Sequence, residues 1–249
     1  MSNPISPPVT KAHFLQTFTL SSVPTAGSAH GPNGANDPMT RNRKTRQKRL
    51  WLMVLACAAA TIFAVQAKAN AADEIKRLRA LMDWRPGTVV ADVGAGDGRY
   101  SFAAAEKVGA GGKVYATEID AKKLEELRAE VAKRKLHNVV VVESKEADTD
   151  LPTACCDAIF LRRVYHHLTK PAEFDANIVR SLKPGGRLAI IDFPPRSGLE
   201  PVEGVPANRG GHGIPQKIVI EELTAAGLEM EKVVNDWPDD DYCVLFLKK

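Results

Sequence analysis

The residues whose types and spacing most plainly suit chemistry form one short run, Asp92-Val-Gly94-Ala-Gly96-Asp-Gly98. Glycine admits positive φ and lets a ligand approach the backbone with no Cβ in between, so three glycines at alternate positions describe a loop built for close contact. Glu118 stands 22 residues past Gly96. A carboxylate at about that distance from a glycine loop takes ribose hydroxyls in nucleotide-binding folds. The loop and the acid specify such a site only if the loop joins a strand to a helix and the acid ends the next strand.

The flanking sequence supplies those elements. Thr88 to Val93 is a short β-branched run, predicted as a buried strand, and Arg99 to Val108 is predicted as the helix that the loop opens. Lys113 to Glu118 reads as the second strand, Ala121 to Lys135 as an amphipathic helix, Val139 to Glu143 as a third strand and Asp157 to Leu161 as a fourth. A helix over Pro171 to Leu182, the turn Lys183-Pro-Gly-Gly186 and a strand over Arg187 to Phe193 follow. A helix over Pro215 to Ala226 and strands over Leu228 to Val234 and Tyr242 to Leu247 close the chain, and a further helix over Asp73 to Met82 precedes the first strand. Alternating strands and helices imply an α/β fold, a doubly wound Rossmann-like sheet of seven strands, mostly parallel. Asn235 to Asp241 leaves room only for a turn, so the last two strands pair antiparallel. Ligands of such sheets sit at the carboxyl ends of the strands, where the strand order reverses.

Val90-Ala-Asp-Val-Gly-Ala-Gly-Asp-Gly98 resembles the first motif of class I S-adenosylmethionine-dependent methyltransferases, and Leu182-Lys-Pro-Gly-Gly-Arg-Leu-Ala-Ile-Ile191 resembles their segment before strand five. Glu118 looks like their ribose-binding acid, and the resemblance covers about Asp73 to Lys249. A nicotinamide dehydrogenase would carry its third glycine one residue later, as G-x-G-x-x-G. The resemblance implies S-adenosyl-L-methionine as cofactor and a methyl transfer; a small molecule is the expected acceptor, while the residues leave small molecule, lipid and protein open. It implies that Gly94, Gly96 and Gly98 lie beside the methionine part, that Asp92 steers its amino group, and that Ile119 packs on the adenine. Glu146, Ala147 and Asp148 would meet the adenine edge. Tyr165, His166 and His167, after strand four, would face the methyl group, and His212, at the end of the long loop Pro194 to Gly213, would touch or deprotonate the acceptor. Arg162-Arg163 would leave the acceptor side basic. No Cys or His spacing suggests a metal.

The chain has 249 residues and a formal charge of +4, but the charge is unevenly placed. Residues 1–71 hold eight of the 34 Lys and Arg and one of the 30 acids, so residues 72–249 carry 26 basic and 29 acidic side chains, a net −3. That balance gives no reason to expect nucleic-acid binding. Residues 1–38 read as a disordered extension, residues 39–71 as a signal peptide or membrane anchor, and residues 72–249 as the folded domain. The basic stretch Arg41 to Arg49, the apolar run Leu50 to Val65 and the small residues Ala67 to Ala71 follow the order of a secretory leader, with Met39 as a natural start. The expected location is exported or anchored in the inner membrane through residues 50–67, or cytoplasmic if that stretch is no leader. An exported binding protein that keeps the fold without turnover is the alternative function.

Overall fold

The computed structural model describes residues 50–54 and 71–249. The chain divides into two units, Met1–Ala56 and Cys57–Lys249. In the first, residues 50–54 are helical and their side chains exposed. Among the described residues no helix is long and apolar enough to cross a membrane. The extension over residues 1–38 and most of the expected leader lie outside the described residues.

In the second unit a helix over residues 71–81 (α1) precedes the sheet. The strands are β1 (Val89–Val93), β2 (Lys113–Glu118), β3 (Val139–Glu143), β4 (Cys156–Arg162), β5 (Leu182–Asp192), β6 (Glu229–Val234) and β7 (Tyr242–Leu247). Between them lie α2 (Arg99–Val108), α3 (Ala121–Lys133), α4 (Pro171–Ser181) and α5 (Gln216–Ala225). The seven strands form one sheet in the order β3-β2-β1-β4-β5-β7-β6. β1 pairs parallel with β2 and β4, and β7 runs antiparallel between β5 and β6. The order reverses between β1 and β4, which opens a crevice where their loops part.

Side chains alternate across each strand, and the sheet buries both faces. Val90, Phe160, Ile191 and Leu245 point to one face, where they meet Leu78 of α1, Ala104 and Val108 of α2 and Leu127 of α3. Ala91, Leu161, Ile190 and Val244 point to the other, against Ile178 of α4 and Val219 and Leu223 of α5. The odd-even division fixes the register, because a one-residue slip would exchange the two cores.

Most boundaries shift by a residue or two, and two of the shifts have a visible cause. α3 ends at Lys133 because the chain turns through Lys135, whose φ is +54°. The expected turn Lys183–Gly186 lies inside β5, which bulges against β4: pairing passes from Cys156 with Leu182 to Ala158 with Arg187. The bulge is held by the C-terminus, with Gly185 N–H donating to the Lys248 carbonyl at 2.7 Å and Lys248 N–H donating to that of Gly186 at 2.9 Å.

Candidate functional site

The glycine loop leaves β1 at the crevice. Gly94 and Ala95 donate their N–H groups to the Thr117 carbonyl at 3.0 and 2.8 Å, which ties the loop to the end of β2. Gly96 N–H then donates to Glu118 Oε2 at 3.0 Å, while Oε1 accepts from the N–H groups of Ile119 and Asp120 at 2.9 and 3.1 Å. A carboxylate has about four lone-pair positions, and backbone donors fill three here, leaving one on Oε2 for a ligand. Gly94 has φ +75°, and a Cβ there would overlap the Val164 side chain, so glycine is what lets the loops after β1 and β4 close on each other.

A cavity of about 370 Å³ lies between these loops, lined in part by Gly94, Glu118, Ile119, Glu146, Val164 and His167. Ligand sites commonly have volumes of about 300 to 1,000 Å³. Glu118 offers an anchored acceptor for a diol, Ile119 an apolar side chain 58% exposed, and Gly94 a bare backbone, with Gly96 next to it in the loop but not on the cavity lining. Those surfaces fit ribose, adenine and a methionine chain respectively. S-Adenosylmethionine would be held by Glu118, Ile119 and the glycine loop, and would supply an electrophilic methyl group.

The remaining expected cofactor residues are divided between the cavity and its supports. Asp92 is buried behind the loop, not on the cavity lining, and accepts a hydrogen bond from Ser101 Oγ at 2.6 Å. Burial pushes its carboxyl up to about 7. Gly98 starts α2 with φ +75°. Glu146 lines the cavity and accepts from the Thr169 hydroxyl, which with Lys170 holds its carboxyl below the usual range. Ala147 and Asp148 do not line it: the Ala147 carbonyl accepts from Asn177 of α4 at 2.8 Å, and Asp148 takes Arg180 of α4 at 3.3 Å. The turn after β3 spends these two residues on docking α4.

On the acceptor side the structure separates the expected residues. Tyr165 turns into the core under α4, where its hydroxyl donates to Asp175 Oδ2 at 2.9 Å, so it does not face the cavity. Burial and the Asp175 charge raise its phenol far above the usual range. Its neighbour His166 turns the other way. It is 2% exposed, donates its backbone N–H to Asp192 Oδ2 at 3.1 Å, and places Nδ1 2.8 Å from Asp192 Oδ1. Oδ1 also accepts Phe193 N–H at 2.9 Å. His167 lines the cavity with its ring centroid 4.0 Å from that of His166, and His212 lies 5.5 Å from His166. His212 donates from Nδ1 to the Glu200 carbonyl at 2.9 Å, inside its own loop.

Arg162 and Arg163 line the cavity but are committed to carboxylates, so the expected basic acceptor site is largely neutralised. Arg162 Nε lies 2.7 Å from Glu74 of α1, which also accepts from Tyr100 and from Trp237 Nε1. Arg163 grips Asp241 with both Nε and Nη2, at 2.7 and 2.9 Å. Sequence reading missed Asp192, Glu74 and Arg209. Arg209 is 1% exposed and bonds Glu222 of α5 and the carbonyls of Leu168 and Tyr165, which pins the long loop. Among the described residues no cluster of His, Cys, Asp or Glu is placed to hold a metal ion.

Residues 91–190 match the family model of a methyltransferase domain. A nocamycin O-methyltransferase of Saccharothrix syringae is 34% identical over 123 residues, 49% of this chain and 44% of that protein. A 27-O-demethylrifamycin SV methyltransferase of Amycolatopsis mediterranei is 29% identical over 165 residues, 62% of this chain and 59% of that protein. The crystal structure of a SAM-dependent methyltransferase from Aquifex aeolicus superposes with a TM-score of 0.60 at 29% identity, over 70% of this chain and 89% of that one. The chain carries a class I S-adenosylmethionine-dependent methyltransferase domain. It spans about half the length of the curated relatives it matches.

Proposed function

We propose that this chain transfers a methyl group from S-adenosylmethionine to a small molecule bound at the mouth of the crevice. The observation that carries the reading is the Glu118 carboxylate, which Gly96, Ile119 and Asp120 hold at the cavity wall with one lone-pair position free. The two antibiotic-modifying relatives support a small-molecule acceptor. A group transfer of this kind needs the two reactants aligned and little covalent help, which suits a site made of backbone, one acid and apolar walls. Calorimetric titration of S-adenosylmethionine into the full chain tests it. Binding is expected, and Glu118→Ala should weaken it by about a hundredfold, the loss of roughly 3 kcal/mol of charge-assisted hydrogen bonding. A folded protein that takes up neither S-adenosylmethionine nor its demethylated product refutes the reading.

The domain is assigned to residues 72–249, behind an extension at 1–38 and a leader at 39–71 that exports it or anchors it to the inner membrane. The basic stretch before the apolar run supports that placement. A reporter fused after Lys249 and active only in the cytoplasm would overturn it.

A further inference from the structure

Two thiols meet at the end of β4 opposite the cavity. Cys155 and Cys156 lie where the chain enters that strand, and the cavity residues Arg162, Arg163 and Val164 lie where it leaves. Successive side chains of a strand point to opposite faces, so neighbouring cysteines in regular β structure hold their sulfurs apart. Here the two Sγ atoms are 2.7 Å apart. The entry is not regular: Ala154, just before the pair, has φ +48°, and its N–H donates to the Arg180 carbonyl of α4 at 2.9 Å. The chain is turned before the strand begins, and both sulfurs come to one side.

The two thiols differ. Cys155 is half-buried, whereas Cys156 is fully buried among Ile178 of α4 and Leu188 of β5. The hydrogen bond from Cys156, with the Lys183 ammonium nearby, lowers the Cys155 thiol against the effect of its burial. The same bond and burial raise Cys156 far above the usual thiol range, so Cys156 Sγ donates and Cys155 Sγ accepts. Lys183 is held by Asp157 Oδ1 at 2.8 Å, while Asp157 Oδ2 accepts Val89 N–H at 2.8 Å. A reachable sulfur with thiolate character beside a cation is the reactive kind of cysteine, and a protonated thiol touching it is placed to resolve what it forms. Cys243, by contrast, is shut into β7, where burial pushes its thiol up to about 12.

We propose that Cys155 and Cys156 are a redox modification site, which a small hydroperoxide closes into a vicinal disulfide. Cys155 sulfur, as thiolate, attacks one peroxide oxygen. The S–O bond forms as the O–O bond breaks, and the other oxygen takes up a proton and leaves as an alcohol or, from hydrogen peroxide, as water. Cys156 sulfur then attacks Cys155 sulfur. The S–S bond forms as the S–O bond breaks, and the Cys156 proton leaves with the hydroxyl as water. The two thiols lose two electrons and the hydroperoxide gains them. Adjacent Cα atoms stand about 3.8 Å apart, short of the ~4.4 to 6.8 Å usual across a disulfide, so the bond is a strained one that free thiols reopen.

Hydrogen peroxide added to the reduced full chain tests this, with the remaining thiols alkylated and the protein cut after Lys and Arg. The peptide over residues 146–162 holds these two cysteines and no other. It should emerge unalkylated and lighter by two hydrogens, and a reducing agent should restore it. Its oxidation should outpace that of Cys243 by about tenfold or more. Cys156→Ser should stop at the sulfenic acid, captured on Cys155 by dimedone, and Cys155→Ser should leave Cys156 a thiol. A parent peptide that stays reduced overturns the proposal, as does one that carries sulfinic acid at Cys155 beside an alkylated Cys156. So does a Cys155→Ser variant that oxidises at position 156 as fast as the parent. Where a variant does not fold, the parent peptide decides alone.

Discussion

Alanine at position 94 offers a test of the closure between the loops after β1 and β4. Gly94 has φ +75°, where a Cβ costs about 1–2 kcal/mol. The new methyl also overlaps the Val164 side chain, a crowding that costs about 1–3 kcal/mol where the neighbours cannot retreat. Gly94→Ala should therefore destabilise the fold by about 2–5 kcal/mol. Val164→Ala alone should cost about 1 kcal/mol, because the side chain is half-buried. In the double variant the overlap is gone and only the backbone strain and the lost methyls remain, so the two changes should fall short of additivity by about 1–3 kcal/mol. Urea unfolding of the four proteins measures that coupling. Additivity within about 0.5 kcal/mol would show that the two loops do not meet as described.

Two further changes probe the supports of the site. Asp92, raised by burial from 3.8 to about 7, folds most favourably when protonated, so its ionisation removes stability as pH rises between those values. Asp92→Asn should match the parent near pH ~4 and exceed it by up to about 4 kcal/mol above pH ~7, read from unfolding midpoints across pH; a constant difference would refute the buried-charge account. Arg209→Met leaves the Glu222 carboxylate and two carbonyls without their donor, and should cost about 3 kcal/mol in chemical denaturation, whereas a loss below about 0.5 kcal/mol would mean that the loop is not pinned by this residue.

The glycine loop and Glu118 were legible because their information is local: a strand, a turn and a second strand, with 22 residues from Gly96 to the acid that receives its N–H. The order of elements followed from period-two and helical patterning for the same reason. The acceptor side was not legible. Tyr165 and His166 are adjacent in a short 3-10 helix, and nothing in their types says that one enters the core while the other meets Asp192. Arg162 and Arg163 read as a free basic pair because their partners, Glu74 and Asp241, lie 88 and 78 residues away. A buried Arg209 resembles a surface arginine until Glu222 and two carbonyls are seen around it.

The cluster around Arg162 and Arg163 also bears on how the protein is made. Its members come from both ends of the domain: Glu74 before the first strand, Trp237 and Asp241 just before the last. β7 then slots between two strands already synthesised. At roughly 5–20 residues per second, a ribosome that has finished the glycine loop still needs many seconds to deliver the groups that complete the cavity wall. The groups that complete the acceptor side thus reach the nascent chain last, together with the strand that completes the sheet.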